Sequence, residues 1–256
     1  MMRALIFLLL VSLFTASHLY AVPLADNAGN PSPNNRHNLS ISGSSNTIKA
    51  LSETRICVFC HTPHGASAQS ALWNRKNPST ASFPLYNSPT NSLNIDDAAI
   101  VGDSQYSNAD PAVYPNGATR MCLSCHDGVS AIGEILSSSS PIIMNTNTLG
   151  SSTAVVDLAT THPVSFVYNA AVVGYLNSTT GGGLDGRTDY VAPTVVPLDG
   201  QQRLQCTTCH DPHEDTRTGT YNLPFWRNYT GTETTDYDNT CNDCHQGNDW
   251  STNPIH

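Results

Sequence analysis

Lysine is almost missing from this chain: Lys49 and Lys76 are the only two, and all charged residues together make up 12% of the 256 positions. The net charge of −9 comes with no basic stripe, which excludes the phosphate-tracking surface of a nucleic-acid-binding protein. An acidic balance favours solubility, and basic partners or cations. Only two methionines, Met121 and Met144, occur beyond the first 21 residues. Past the N-terminal run, no stretch approaches the ~20 apolar residues of a spanning helix, so no membrane span is expected. Cysteine is absent outside one repeated pattern.

That pattern is Cys-x-x-Cys-His, and it holds all eight cysteines in four copies. The copies are Cys57-Val-Phe-Cys60-His61, Cys122-Leu-Ser-Cys125-His126, Cys206-Thr-Thr-Cys209-His210 and Cys241-Asn-Asp-Cys244-His245. It is the attachment signature of c-type haem. The two thiols add to vinyl groups of the porphyrin, and the histidine binds iron from one face. Two alternatives use the same cysteines: two zinc ions held by four thiolates each, or disulfides in an exported chain. Neither requires a histidine after every second cysteine. With 10 histidines in 256 residues, four such coincidences have a chance on the order of one in a million. Four covalent haems per chain are therefore expected.

The N-terminus reads as a secretory signal. Arg3 supplies the positive start, Ala4 to Phe14 the apolar run, and a small-residue cleavage site follows Ala21 or Ser17. The expected division is a signal peptide over 1–21 and one tetrahaem domain over 22–256. Export agrees with the cysteines, because haem is attached to them outside the cytoplasm. The polar remainder, rich in Ser, Thr, Asn and Gly, is poorly suited to an ordinary apolar core. The expected fold is therefore irregular: mostly coil, with short α-helices and few short strands, and with the haems themselves as the core. Short helices are expected at each motif and over Ala131–Leu136, and weak strands at Pro163–Tyr168 and Tyr190–Val196. Loops are expected over Asn77–Thr90, Ser137–Pro141 and Thr179–Gly186.

Each iron has a second face. Beyond the proximal ligands His61, His126, His210 and His245, six histidines remain. His18 lies in or beside the signal, which leaves His37, His64, His162, His213 and the terminal His256. Histidine on both faces of every iron is the economical reading. It implies low potentials and electron transfer rather than binding of small molecules at iron. His64 and His213 each follow a motif histidine by three residues. That is too close to cross the residue's own haem, but suited to a second haem lying against it. The expected assignment gives His64 to the haem of Cys122/Cys125 and His213 to that of Cys241/Cys244. His37 and His162 then serve the haems of Cys57/Cys60 and Cys206/Cys209.

Several words surround these ligands in order: His37-Asn-Leu-Ser, Arg55-Ile-Cys-Val-Phe-Cys-His-Thr-Pro-His64, Leu72-Trp-Asn-Arg75, Cys122-Leu-Ser-Cys-His-Asp-Gly128 and Cys206-Thr-Thr-Cys-His-Asp-Pro-His213. Together they resemble the tetrahaem extracellular cytochromes of the OmcE type over most of the mature chain. The resemblance implies a homopolymeric filament at the cell surface, with haems in a continuous line. Electrons would pass between redox partner proteins and extracellular acceptors. It also implies that one iron takes a histidine from a neighbouring subunit, His37 first and His256 second. The alternative is a soluble periplasmic shuttle similar to the small tetrahaem cytochromes c3. Those are much shorter and generally lysine-rich, unlike this chain. An enzyme would need an iron with an open or unusual face, which the surplus of histidines argues against.

Overall fold

The computed structural model describes residues 25–26, 35–43, 47–67, 71–78, 83, 115–149, 158, 161–180, 189–217 and 225–245. The signal segment, His18, His256 and most of 79–114 lie outside them. Among the described residues the chain is mostly coil. Four short α-helices occur: α1 (Gly117–His126), α2 (Ala170–Thr180), α3 (Cys206–Cys209) and α4 (Glu233–Asn242). Cys57–Phe59 forms a single 3-10 turn. Four two-residue strands make two ribbons: β1 (Ala25–Asp26) runs parallel to β4 (Glu214–Asp215), and β2 (Phe166–Val167) antiparallel to β3 (Arg203–Leu204). No described helix is long and apolar enough to cross a membrane.

Every Cys-x-x-Cys-His motif begins within a helix or helical turn. This spacing closes one turn, as the His61 and His210 amides donating to Cys57 O and Cys206 O show. Two other expectations fail. Ala131–Leu136 is not helical, because its backbone bonds elsewhere: the Ile132 amide to Asn147 O, the Leu136 amide to Asn74 O, and Gly133 O to the Ile142 amide. A side-chain carbon on Gly133 would collide with the backbone carbonyl oxygen of Ile142. Tyr190–Val196 is not a strand either. The amides of Thr194, Val195 and Val196 all donate to the carboxylate of Asp243, within the fourth motif. The strand expected within Pro163–Tyr168 is present as β2. Ser137–Pro141 is irregular as expected, whereas α2 runs into the loop expected from Thr179.

Among the described residues, apolar burial is split into three small clusters, and each touches a motif. Val58 and Phe59 of the first motif pack with Ala50, Ile135 and Met144. Leu123 of the second and Cys244 of the fourth share a cluster with Phe166, Val172 and Val173. Trp226 and Tyr237 pack against Cys209 and Cys241. Met144 is thus a packing residue beside the first motif.

Gln205 locks α1 to α3. Its Oε1 accepts from the Thr119 amide at 3.2 Å and from Ser165 Oγ at 3.2 Å, and the Cys206 amide donates to Thr119 Oγ1 at 3.1 Å. Gly117 makes this approach possible. Its φ of +59° is left-handed, and a Cβ there would sit 2.7 Å from Gln205 Nε2.

Candidate functional site

All eight thiols are free and all lie among the described residues. No group of three or more His, Cys, Asp or Glu among the described residues is placed to hold a metal ion by itself. The Cys-x-x-Cys pairs thus do not assemble into four-thiolate sites. They adjoin one another in chain order instead. Cys60 feels Cys125; Cys122 and Cys206 hydrogen-bond each other; Cys209 feels Cys241 and Cys244. Burial pushes the Cys60 and Cys209 thiols up to about 12.

The histidines form three facing pairs. His61 faces His213, His126 faces His37, and His245 faces His162, each with ring centres 6.2 Å apart. The interplanar angles are 17°, 79° and 88°. Every pair joins one motif histidine to one histidine outside the motifs. The spacing has a chemical meaning. A first-row metal ion lies about 2 Å from an imidazole nitrogen, so two rings on opposite sides of one ion have centres about 6 Å apart. Parallel rings in direct stacking contact lie closer, as His37 on Phe225 does at 4.3 Å.

Four ring nitrogens are already committed. The Nδ1 atoms of His61, His37 and His162 lie 2.6, 2.9 and 2.9 Å from the carbonyl oxygens of Ala71, Pro212 and Pro163. The Nδ1 of His213 lies 3.0 Å from Asp211 Oδ1. Each of these oxygens can only accept, so Nδ1 carries the proton and Nε2 is left as a lone-pair donor. Desolvation lowers the pKa of His37 and His162 to about 4, so both rings are neutral at physiological pH. Hydrogen bonds from the His213 ring and amide hold the Asp211 carboxyl down to about 2.

The placement of these rings follows from long-range backbone pairing. β1 lies on β4, Asn35 Nδ2 donates to His213 O at 3.1 Å, and the Arg36 amide donates to Asp215 at 3.3 Å. The N-terminal arm is thereby laid along 212–215, which sets His37 and His213 side by side over two neighbouring motifs.

The first and third motifs prove to be copies of one unit, a signal not extracted from the sequence. His61 bridges to Trp73 with rings 5.7 Å apart at 84°, and His210 to Trp226 with rings 5.6 Å apart at 80°. The Thr62 amide donates to Leu72 O and the Asp211 amide to Phe225 O. The Asn74 amide donates to Cys60 O and the Arg227 amide to Cys209 O. Leu72 and Phe225, with φ of 53° and 55°, hold the same left-handed backbone. Such strain in non-glycine residues is concentrated where geometry is functional. The legible trace is Cys-His-x-Pro-His followed by an apolar residue and tryptophan in both halves.

The expected partnerships change accordingly. His213 stands beside His61 and not the fourth motif; His37 stands beside His126 of the second motif, not the first; His162 stands beside His245 of the fourth, not the third. His64 is exposed, its backbone held by Thr62 Oγ1, and it faces none of the motif histidines. Residue types are legible in the sequence but the path of the chain between motifs is not, and β1–β4 pairing decides which motif each arm reaches. Asp211, Trp73, Trp226, Gln205 and the carbonyls of Ala71, Pro163 and Pro212 were not anticipated.

No family model matches this chain, and no curated protein matches it.

Proposed function

We propose that the chain binds four c-type haems through its Cys-x-x-Cys-His motifs and carries electrons along them outside the cytoplasm. The observation that carries this reading is the recurrence of one 6.2 Å spacing in three pairs, each pairing a motif histidine with one from elsewhere. Haem, when bound, supplies an iron that exchanges one electron between its ferric and ferrous states. The residues do the rest. The cysteines would hold each haem covalently, and His37, His61, His162 and His213, with Nδ1 held by oxygen acceptors, would offer Nε2 to iron. Motifs that adjoin in chain order keep the redox groups in one line. The three separate apolar clusters leave the haems as the body of the core, so folding depends on their attachment.

Assembly is part of the proposal. His213, in the third motif's unit, reaches across to the iron of the first. His64 occupies the equivalent place in the first unit and is exposed. Applied once more across a subunit boundary, the same rule delivers His64 to the third motif of a neighbouring copy. His37 faces His126 within its own chain, so this reading gives the donated role to His64 in place of His37. A heterologous contact of this kind does not close and yields a filament. Electron microscopy of purified surface material tests it: fibres from wild type and none from His64→Ala are expected. Fibres that persist in His64→Ala but vanish in His256→Ala would move the role to His256. Wild-type protein that stays monomeric at high concentration would favour the soluble shuttle.

A further inference from the structure

We propose that Arg75 is a fixed buried cation that raises the reduction potential of the haem attached through Cys122 and Cys125; this rests on the haem reading above. Arg75 is 2% exposed. A buried arginine is ordinarily neutralised by a carboxylate. Here, among the described residues, all four hydrogen bonds go to backbone carbonyls. Nε and Nη2 donate to Ser124 O at 3.2 and 3.1 Å, Nη2 to Ala131 O at 2.9 Å, and Nη1 to Ile132 O at 2.7 Å. Ser124 lies between the two cysteines of the second motif. The charge is therefore held against that motif by its own backbone.

Two opposing charges lie nearby: Glu134, exposed on the cavity that Arg75 also lines, and Asp127, fully buried after His126. Its carboxylate is occupied by the amides of Val129 and Ser130 and by Ser130 Oγ. Oxidising an iron adds positive charge beside a cation already there, so Arg75 favours the ferrous state.

The twin unit supplies the contrast. The backbone pairing that aligns Asn74 with Arg227 puts Asn228, which is neutral, where the first unit has Arg75. The fourth motif carries Asp243 where the second carries Ser124. One half of the chain thus sets a cation on its second haem, and the other sets a carboxylate in its last motif. The second haem should hold an electron more tightly than the fourth, which gives each subunit an internal slope.

The experiment is a redox titration of the four-haem protein, with the haems resolved by their paramagnetically shifted methyl resonances. Three proteins are compared: wild type, Arg75→Asn (the residue of the other half) and Arg75→Lys. Arg75→Asn is expected to shift the reduction equilibrium of one haem about tenfold toward ferric, which is about 59 mV for one electron. Arg75→Lys keeps the charge and is expected to shift it less than about threefold, although it loses the fork and lowers stability. Equal shifts in both variants, or no shift in Arg75→Asn, overturn the proposal. If Arg75→Asn does not accumulate with four haems, the wild-type order decides: the second haem must be reduced before the fourth. A chain without covalent haem overturns the underlying reading as well, whereas four haems with unmoved potentials overturn this inference alone.

Discussion

Replacing His213 separates the observed partnership from the one the spacing suggests. In the structure His213 faces His61. His213→Ala should leave one of the four irons with a single histidine, giving a high-spin fraction of about a quarter and one carbon monoxide bound per four haems on reduction. The fold should survive. The lost bond is the 3.0 Å contact to Asp211, whose side-chain exposure is 33% against 40% for His213. After solvent screening such a contact is worth about 0.5–1 kcal/mol, far less than a domain's stability. The decisive assay is a double variant. His61→Ala/His213→Ala should still disturb only one haem, because both residues serve the same iron. Magnetic circular dichroism and carbon monoxide stoichiometry both report the count. If two haems per chain become high-spin in the double variant, the facing pair does not share an iron and the argument from ring spacing fails.

Other expectations follow from particular contacts. Gly117→Ala places a Cβ 2.7 Å from Gln205 Nε2 at a positive φ and should destabilise the holoprotein by about 1–3 kcal/mol in denaturant titration. Gly174→Ala, within α2 and with nothing within 4 Å of the added carbon, should instead stabilise by about 0.5–1 kcal/mol. Asp243→Asn weakens a carboxylate that accepts three consecutive amides and should cost about 1–2 kcal/mol; unchanged stability would contradict that clamp.

The candidate residues were legible in the sequence, and their pairing was not. Cysteines confined to four words of one pattern, each closed by histidine, mark the candidate attachment residues directly, because covalent haem attachment would need them adjacent. The histidines outside the motifs are different in kind. His37 lies far along the chain from His126 and meets it only because two-residue strands, Ala25–Asp26 and Glu214–Asp215, pair in parallel; elements that short leave no periodic trace. Ala131–Leu136 has helix-favouring residues, yet its amides and carbonyls are taken by distant partners such as Asn147 and Asn74. Tertiary hydrogen bonding there overrides local preference. The duplicated unit was half visible: Cys-His-x-Pro-His repeats in plain sight, but Trp73 and Trp226 sit at different distances from their motifs. Only the backbone bridges His61–Trp73 and His210–Trp226 align them.

Intact-mass spectrometry of the secreted protein, with a reduced absorption spectrum of the same sample, tests the central claim most directly. The account predicts one species whose mass is the processed chain plus four covalently bound haems, entirely low-spin and unreactive to carbon monoxide. A chain at its bare polypeptide mass, one carrying zinc or disulfides on its cysteines, or one with fewer than four haems would contradict it.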